Sequence, residues 1–394
     1  MSELKEVVVV SGVRLPVGSY GGSLKNTPAI DMGAMVVKEA VKRAGIEPSV
    51  VDEVIIGQVG EVAENGFVAR AISLKAGMPK ETTAYSVNRQ CGSGLQSIVE
   101  AVMEIQTGQA DVVVAGGAEN ISQLPYYVKD ARWGARMGHK VFEDGVIDIL
   151  TWPLDGNHNG VTAENVAEKY NVSREEQDQF ALESHQKACK AIKDGKFKDE
   201  IVPVEVKKKK ETVIVDTDEG PRPGTTAESI SKLRPAFKKD GIVTAANSSG
   251  INDGAACVVV MSEEKAKELG VTPMATWVAG ALGGVDPSIM GVGPVASTKK
   301  VLAKTGMSID DFDLIEANEA FAAQSLAVGR ELGINPEKLN VNGGAIALGH
   351  PVGASGCRIL VTLLHEMQKR DAKKGLATLC IGGGMGCSTI VERD

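Results

Sequence analysis

The sequence AVKRAG at residues 40–45, followed by VDEVII at residues 51–56, occurs in a second version later in the chain. There it reads LAKTG at residues 302–306 and FDLI at residues 312–315. In both versions an aspartate stands seven positions after the glycine, and the two glycines are 261 positions apart. Each version predicts a helix that ends at its glycine, a short turn and a buried strand.

A second pair of related segments lies at nearly the same spacing. CGSG at residues 91–94 precedes an apolar helical pattern, a valine-rich strand and a glycine pair, and GASG at residues 353–356 precedes the same series. The last glycines of these two segments are 262 positions apart. A chance likeness between ordinary helix–strand units is the alternative, but two matches at almost one spacing favour two related α/β halves.

A region of different composition separates the two halves. It is rich in charged residues and turns, and it contains two helical patterns, at residues 162–170 and 174–194. We interpret it as an insertion in the first half that covers one side of the site. The predicted parts are a first half at residues 1–119 and 250–270, an inserted loop domain at residues 120–249 and a second half at residues 271–394. Strands rich in valine and isoleucine alternate with helical patterns, so the halves should be α/β with parallel or mixed sheets.

The composition is that of a globular protein, and it excludes several classes of function. The chain has 394 residues and a formal net charge of −8, which argues against a general binder of nucleic acids or of membrane surfaces. No apolar run approaches ~20 residues, and the polar N-terminus has no pattern of a signal or transit peptide, so we expect no membrane span. Six scattered cysteines do not suggest a disulfide framework, and a cytoplasmic location is the simplest expectation.

Three reactive side chains lie in glycine-rich sequence: Cys91 in NRQCGSG, His350 in GGAIALGHP and Cys380 in CIGGGMG. The glycines let the backbone approach a substrate closely. Cys91 follows a predicted strand and precedes a helix, whose N-terminus would favour the thiolate. Two sulfurs and an imidazole can supply a nucleophile, its activator and a second acid or base. That is the equipment for acyl transfer through a thioester.

Other residues give weaker signals. Gly382 begins a glycine triplet whose backbone N–H groups can hold an oxyanion, although such a triplet can also be a tight turn. Asn318 follows the repeated strand of the second half, at the edge where open α/β sheets bind ligands. His185 and His365 fall in helical patterns, which favours positions at the surface. The two reactive cysteines lack the close spacing of a zinc site, so no metal is expected.

Four motifs make the chain similar to a known family. They are NRQCGSG at residues 88–94, NEAF at residues 318–321, NGGAIALGHPVGASG at residues 342–356 and CIGGGMG at residues 380–386. The chain resembles the thiolase family, and most closely its biosynthetic acetyl-CoA acetyltransferases. The likeness extends over essentially the whole chain, and four motifs in one order are far more specific than any one of them.

The resemblance implies a role for each motif. Cys91 would take the acyl group, and His350 would activate Cys91 and help to hold the thioester oxygen in a first oxyanion hole, which a water on Asn318 completes. Cys380 would move the proton of the carbon that becomes the second nucleophile. The backbone N–H groups of Cys91 and Gly382 would form a second oxyanion hole. The family's contacts to coenzyme A match His158, Arg222, Ser229, Ser249, Met290 and Phe321.

The reaction implied by the resemblance is a reversible Claisen condensation, in which two acetyl-CoA give acetoacetyl-CoA and CoA. It would proceed by a ping-pong mechanism through an acetyl-cysteine, with coenzyme A as substrate and product and with neither a cofactor nor a metal. The implied fold is a layered αβαβα arrangement of two duplicated βαβ-rich halves with a loop-domain insertion. The resemblance also implies a homotetramer, assembled as a dimer of dimers, and a place in fatty acid metabolism.

One departure from the family leaves the range of acyl chains open. Short-chain members often have methionine after the histidine that matches His158, whereas this chain has Asn159. A thiolase of broader 3-oxoacyl-CoA chain length is therefore one alternative. A decarboxylating condensing enzyme is a second, but that class handles decarboxylation with paired histidines, or His and Asn, and Cys380 argues against it. A CoA-binding homologue without turnover is a third, and the three intact reactive residues argue against it.

Overall fold

The computed structural model describes residues 4–208 and 211–394, which form 14 strands and 12 α-helices. The strands are β1 (Val7–Arg14), β2 (Gly18–Ser19), β3 (Glu53–Gly57), β4 (Thr83–Val87), β5 (Val112–Asn120), β6 (Tyr126–Tyr127), β7 (Glu143–Asp144), β8 (Val204–Lys208), β9 (Glu211–Val215), β10 (Asn252–Ser262), β11 (Ala275–Gly284), β12 (Leu314–Ala317), β13 (Lys374–Ile381) and β14 (Met385–Glu392). The helices are α1 (Ala29–Ala44), α2 (Val68–Lys75), α3 (Ser93–Thr107), α4 (Gly145–Ile149), α5 (Asn159–Lys169), α6 (Arg174–Lys193), α7 (Ala227–Ser231), α8 (Glu263–Leu269), α9 (Gly293–Thr305), α10 (Ala322–Leu332), α11 (Ala345–Leu348) and α12 (Val352–Arg370).

The strands repeat one topology in the two halves of the chain. In the first half the hydrogen-bonded order is β4–β3–β5–β10–β1, and in the second half it is β12–β13–β14–β11. β3 pairs in parallel with β4 and β5, as β12 does with β13 and, through a bridge, with Leu339. The pairs β5–β10, β10–β1, β13–β14 and β14–β11 are all antiparallel. A short pairing of β1 with β11 joins the two sheets at one edge.

The helices form three layers around these two sheets. α3 and α12 lie in the middle, since they pack against each other and each contacts strands of both sheets. Their backbones come very close, because a Cβ on Gly94 would lie 2.9 Å from the backbone nitrogen of Cys357. α1 and α2 cover the outer face of the first sheet, and α9 covers the outer face of the second, with α10 beside it. The predicted αβαβα layering of two duplicated halves is therefore confirmed.

The duplicated sequence forms the same local structure twice. Gly45 and Gly306 end α1 and α9 with φ of 69° and 70°, the left-handed conformation that glycine adopts without strain. The repeated aspartates, Asp52 and Asp313, each accept two backbone hydrogen bonds, at 2.8 and 3.0 Å, at the start of β5 and of β13 respectively. The aspartate thus has the same structural role in both halves, because it fixes where the neighbouring strand begins.

The segment between β5 and β10 packs against both halves, because its helices contact the second half and β8 belongs to the hydrophobic core of the first. It carries α4 to α7 and the small strand pairs β6–β7 and β8–β9. Both predicted helices are present, as α5 and α6, and their ends differ from the predicted ends by no more than three residues. α5 packs against α10, and α6 packs against α10 and α11. The exact division of the chain into three parts stays a prediction.

The two longest helices have different surroundings. α12 is buried along most of its length between the sheets, whereas α6 buries one face only. Across residues 4–208 and 211–394, no helix has both the length and the apolar character that crossing a bilayer requires.

Candidate active site

A cavity of about 330 Å³, which we call the inner cavity, collects residues from both halves and from the segment before β10. Six of the predicted site residues line it: Cys91, His158, Ser249, Met290, Phe321 and His350. Asn159 lines it as well, and most of the remaining wall is apolar, with Ile121, Leu150, Phe237 and Val352. Cys91 and His350, which are more than 250 positions apart in the sequence, thus line the same cavity.

Cys91 is presented by a fixed turn between β4 and α3. Gln90, directly before it, has a φ of 48°, in the left-handed region that residues other than glycine rarely adopt. The Oγ atom of Ser93 donates a hydrogen bond of 2.6 Å to the carbonyl of Gln90 and so holds this conformation. Strained backbone of this kind persists where the surroundings enforce it, and it is frequent at functional sites.

The Cys91 side chain is a thiol in the resting protein. Burial raises the pKa of this thiol to about 11, although the backbone N–H groups of Gly382 and of Cys91 itself lower it. The predicted stabilisation of a thiolate is therefore outweighed by burial, and Cys91 needs a base before it can attack. The two N–H groups beside the sulfur are the same two that the family resemblance assigns to the second oxyanion hole.

His350 has the properties of that base. It lies between α11 and α12, its backbone N–H donates to Oδ1 of Asn252 at 2.9 Å, and its Nδ1 lies 2.5 Å from Oγ of Ser355. Within the described residues its Nε2 has no hydrogen-bond partner. Burial, and after it the positive charge of Arg358, lower the pKa of the imidazole to about 4, so the ring is neutral at physiological pH and can accept a proton.

Cys380 is not among the described residues that line the inner cavity, but it lies directly behind the wall. It ends β13, is fully buried, and packs in one small apolar cluster with Phe321 of the wall. Burial first, and then the neighbouring Cys91, raise the pKa of the Cys380 thiol. The end of β13 reaches the Cys91 turn because a side chain is absent at Gly92, where a Cβ would lie 2.4 Å from Cδ1 of Ile381.

Asn318 also lies outside the wall of the inner cavity. Its backbone N–H donates to the carbonyl of Thr378 at 3.0 Å, which places it at the end of β12, beside β13. Its side chain is buried, and neither Oδ1 nor Nδ2 has a hydrogen-bond partner in the part of the chain that the structure describes. Buried amides without partners are rare, so this side chain is free to bind a polar ligand.

Arg222 and Ser229 line a second cavity of about 420 Å³, which we call the outer cavity. Four residues belong to both cavities, so the two are adjacent: Ala245, Ser248, Gly250 and Ile251. The predicted contacts to coenzyme A are therefore divided between the two. Four of them line the inner cavity beside the reactive residues, and the other two line the outer one.

The predicted surface position of His185 is wrong. His185 is only 7% exposed, it lines the outer cavity, and its Nδ1 accepts a hydrogen bond of 3.3 Å from the backbone N–H of Arg222. Burial, and then Arg222, lower the pKa of its imidazole. The sequence contains a signal for this, because Ala181, Ser184, His185 and Ala188 have the spacing of one buried helix face.

Sequence reasoning assigned no role to three residues that hold the site together. Ser355 fixes the His350 ring, Asn252 fixes the His350 backbone, and Glu319 accepts hydrogen bonds from side chains and from the loop before His350. Glu319 follows Asn318 directly, but the partners of a buried carboxylate depend on tertiary structure and cannot be read from that neighbourhood. Among the described residues, no three side chains of the kinds that bind metals lie together.

Comparisons with known proteins identify the family of this chain. The family model for the thiolase N-terminal domain matches residues 7–264, and the model for the thiolase C-terminal domain matches residues 271–393. The chain is similar to an acetyl-CoA acetyltransferase of Syntrophomonas wolfei, with 55% identity over 98% of this chain and 99% of that protein. It is also similar to the crystal structure of the Bacillus anthracis acetyl-CoA acetyltransferase, at a TM-score of 0.98 and 48% identity over the full length of both chains.

A further solved structure contains the ligand that the resemblance implies. It is human mitochondrial 3-ketoacyl-CoA thiolase in complex with CoA, which matches at a TM-score of 0.95 and 45% identity, over 99% of this chain and 98% of that one. The family models cover almost the whole chain, and the identities are far above what a shared fold alone would give. The predicted family is therefore confirmed: this chain is a member of the thiolase family.

Proposed function

We propose that this protein is an acetyl-CoA C-acetyltransferase, which condenses two acetyl-CoA to acetoacetyl-CoA and CoA and catalyses the reverse thiolysis. The observation that carries the proposal is the placement of Cys91 and His350 on one apolar cavity, with the Cys380 thiol directly behind its wall. Similarity to acetyl-CoA acetyltransferases over the full length of the chain supports it.

In the first half-reaction Cys91 is acetylated. Its Sγ attacks the carbonyl carbon of acetyl-CoA, and the sulfur's proton passes to Nε2 of His350, which is neutral because the pKa of the imidazole is lowered to about 4. The oxygen of the attacked carbonyl becomes an oxyanion, which the second oxyanion hole, the N–H groups of Cys91 and Gly382 near the sulfur, can stabilise. The C–S bond to coenzyme A then breaks, and the leaving thiolate takes the proton of Cys380. The products are acetyl-Cys91, CoA and a Cys380 thiolate.

In the second half-reaction a carbon–carbon bond forms. The Cys380 thiolate removes an α-proton from a second acetyl-CoA, and a water held by Asn318 together with His350 would stabilise the enolate oxygen. The enolate carbon attacks acetyl-Cys91, and the Cys91 thiolate that leaves takes back the proton from His350. Every group has returned to its first state, and two half-reactions at one site give ping-pong kinetics.

The two cavities suit the two ends of coenzyme A. The acyl group and the adjacent chain would occupy the inner cavity, between His158, Met290 and Phe321, and the nucleotide end would extend past Ser249 into the outer cavity. There the Arg222 side chain supplies positive charge for phosphate, and Ser229 lies on the wall of the same cavity.

The direct test is thiolysis of acetoacetyl-CoA by the purified protein with CoA, followed at the thioester bond. A thiolase of broader range would also cleave 3-oxoacyl-CoA of greater chain length at similar rates. A decarboxylating condensing enzyme would consume malonyl-CoA and release CO₂. A homologue without turnover would bind CoA and leave acetoacetyl-CoA intact, and that result would contradict the proposal.

We also propose a homotetramer built as a dimer of dimers. β4 is the outermost strand of the first sheet, and an unpaired strand edge can pair with another copy of the chain. The segment after β5 exposes an unusual set of large apolar side chains: Tyr126, Trp133, Met137, Val141 and Phe142. A dimer of dimers needs two kinds of interface between subunits, and the edge of β4 and this apolar surface can each form one of them. Analytical ultracentrifugation should give a tetramer that a Trp133→Ser, Met137→Ser double variant reduces to a dimer, whereas a monomeric wild type would contradict the proposal.

The location that we propose is the cytoplasm. All six cysteines are free in the structure, and Cys91 and Cys380 must be reduced to react. Cell fractionation with a soluble cytoplasmic marker tests this, and recovery of the protein outside that fraction would contradict it.

A further inference from the structure

Two consecutive residues of α6, Ser184 and His185, contact two different parts of the site. Both are buried, and both lie on the helix face that is turned toward the second half. Ser184 contacts the loops that carry the reactive residues, and His185 contacts the loop that carries Arg222. α6 itself contributes neither a nucleophile nor a base to the mechanism proposed above.

Ser184 joins α6 to two catalytic loops, one that carries Asn318 and one that carries His350. Its Oγ donates a hydrogen bond of 2.6 Å to Oε2 of Glu319, and it accepts one of 3.1 Å from the backbone N–H of Gly344. The same Oε2 accepts from the backbone N–H of Ile346 at 3.2 Å. Glu319 is the residue after Asn318, and residues 344–346 lead through α11 to His350. The Ser184 hydroxyl therefore links the segment that carries Asn318 to the loop that carries His350, and these two residues would form the first oxyanion hole.

The packing between α6, Glu319 and the loop before His350 is tight. A Cβ on Gly344 would lie 2.1 Å from the carboxyl carbon of Glu319, and a Cβ on Gly343 would lie 2.7 Å from the carbonyl oxygen of Ser184. Gly343 also has a φ of 83°, which only glycine adopts readily. Because α6, the Glu319 side chain and the loop before His350 touch directly, a small shift of α6 must move the other two.

His185 joins α6 to the proposed nucleotide site. Its Nδ1 accepts from the backbone N–H of Arg222 at 3.3 Å, and both residues line the outer cavity. The loop before Arg222 also presses on α11, since a Cβ on Gly220 would lie 2.2 Å from the carbonyl oxygen of Ala347. The Arg222 loop, α6 and the His350 loop thus form one contiguous network of hydrogen bonds and close contacts.

We propose that Ser184 and His185 are positioning residues that couple occupation of the outer cavity by the nucleotide end of coenzyme A to the alignment of Asn318 and His350. This inference rests on the proposed function. A ligand held by the Arg222 loop would fix α6 through His185, and α6 would fix both catalytic loops through Ser184. Binding energy from a remote part of the substrate would then be used at the reacting carbon, which raises kcat and not only affinity.

The test compares a complete substrate with a truncated one. Acetoacetyl-pantetheine has the same reacting group as acetoacetyl-CoA and lacks the nucleotide. The measured quantity is the saturating rate of Cys91 acetylation in a single turnover, for each substrate. Wild type should be faster with acetoacetyl-CoA, and Ser184→Ala should reduce this rate ratio by about three- to tenfold, the effect of one or two hydrogen bonds. His185→Phe, which keeps a ring and removes the acceptor, should reduce it in the same way.

The controls separate coupling from general damage. Ser297→Ala removes a buried, hydrogen-bonded serine from α9, and it should leave the rate ratio as in wild type. Ser184→Cys keeps the volume with a poor hydrogen-bond partner, so it replaces Ser184→Ala if that variant does not fold. A wild-type ratio of one, or an equal loss with both substrates in the Ser184 and His185 variants, would overturn the inference. Neither result would affect the proposed function, which fails only if acetoacetyl-CoA does not react at all.

Discussion

The Nδ1 atom of His350 lies 2.5 Å from the Oγ atom of Ser355, and this contact fixes which ring nitrogen is available for chemistry. Oγ of Ser355 also lies 3.0 Å from the carbonyl oxygen of Pro351, to which it donates, so that it can accept from Nδ1–H. Nε2 is then the unprotonated nitrogen, and it has no partner among the described residues. Ser355, in the first turn of α12, thus holds the neutral ring in the tautomer that leaves Nε2 free to act as a base.

Removing this contact should weaken the base without removing it. In Ser355→Ala the ring loses its tautomer control and one hydrogen bond, so the rate of Cys91 acetylation should fall by about fivefold, in line with ~1 kcal/mol for such a bond. Stopped-flow acetylation with acetyl-CoA measures the effect. Ser355→Thr, which keeps the hydroxyl, should recover most of the rate, and a Thr variant as slow as the Ala variant would contradict this role.

The pH dependence of acetylation should reflect a histidine of low pKa. Only neutral His350 accepts the proton of Cys91, and burial lowers the pKa of the imidazole from 6.5 to about 4. The rate should therefore be lost on the acid side around pH 4, and it should change little near pH 6.5. The pKa of the Cys91 thiol is raised to about 11, so the rate should not follow thiolate formation near neutral pH. Single-turnover rates, with circular dichroism to confirm folding, measure this, and an acid limb centred at 6.5 would contradict it.

Replacement of Cys91 and replacement of Cys380 should block different steps of the reaction. Cys380→Ser should still be acetylated at Cys91, because the nucleophile and its base are intact and the CoA thiolate can leave without a proton from Cys380. Condensation should fall by about 10²–10⁴-fold with the loss of the acid–base group. Exchange of the α-protons of acetyl-CoA with deuterated water reports this step directly. Cys387→Ser changes a buried cysteine of β14 to which we assign no catalytic role, so its exchange should match wild type. Normal exchange in Cys380→Ser would refute the assignment.

The acyl-chain range should depend on Asn159. Its Nδ2 lies 3.6 Å from the position that a Cβ on Gly382 would take, so its side chain borders the space beside the reacting carbonyl. Asparagine is shorter than the methionine common in short-chain relatives, so wild type should cleave 3-oxopentanoyl- and 3-oxohexanoyl-CoA. Asn159→Met should lower these rates relative to acetoacetyl-CoA, by the ~1–3 kcal/mol that one methylene is worth in a hydrophobic pocket.

The control for Asn159→Met changes another part of the same wall. Leu150→Met places a methionine elsewhere on the inner cavity and keeps the Asn159 amide, so it should leave the chain-length preference closer to wild type. Steady-state kcat/KM for the three substrates compares the variants. A steep preference for acetoacetyl-CoA in wild type that Asn159→Met leaves unchanged would show that this position has no influence.

Much of the fold could be predicted from the sequence because it is encoded locally and twice. Gly45 and Gly306 end helices, and Asp52 and Asp313 fix the starts of strands, through interactions within a few residues or with one adjacent strand. The periodicity of apolar residues then gives helices and strands with small errors at their ends. The short pairing of β1 with β11 was not predictable, since it depends on how the two finished sheets meet.

The site residues that stand in sequence motifs could be predicted, and those whose role depends on tertiary packing could not. Cys91, His350 and Cys380 stand in glycine-rich motifs, whereas the buried helix face that contains His185 is marked only by the spacing of the small residues around it. The state of Cys91 could not be predicted either. A helix N-terminus favours the thiolate, burial opposes it, and only the folded structure gives the extent of burial that raises the pKa of the thiol to about 11.

The central claim is that Cys91 carries the acyl group, and one measurement tests it most directly. The protein is incubated with acetyl-CoA labelled in the acetyl group, digested, and each labelled peptide is identified by mass spectrometry. Wild type should carry the label on Cys91, Cys91→Ser should carry none, and Cys189→Ser, a half-buried cysteine outside the described cavity walls, should be labelled as wild type is. Label that persists in Cys91→Ser, or that maps to another residue in wild type, would contradict the claim.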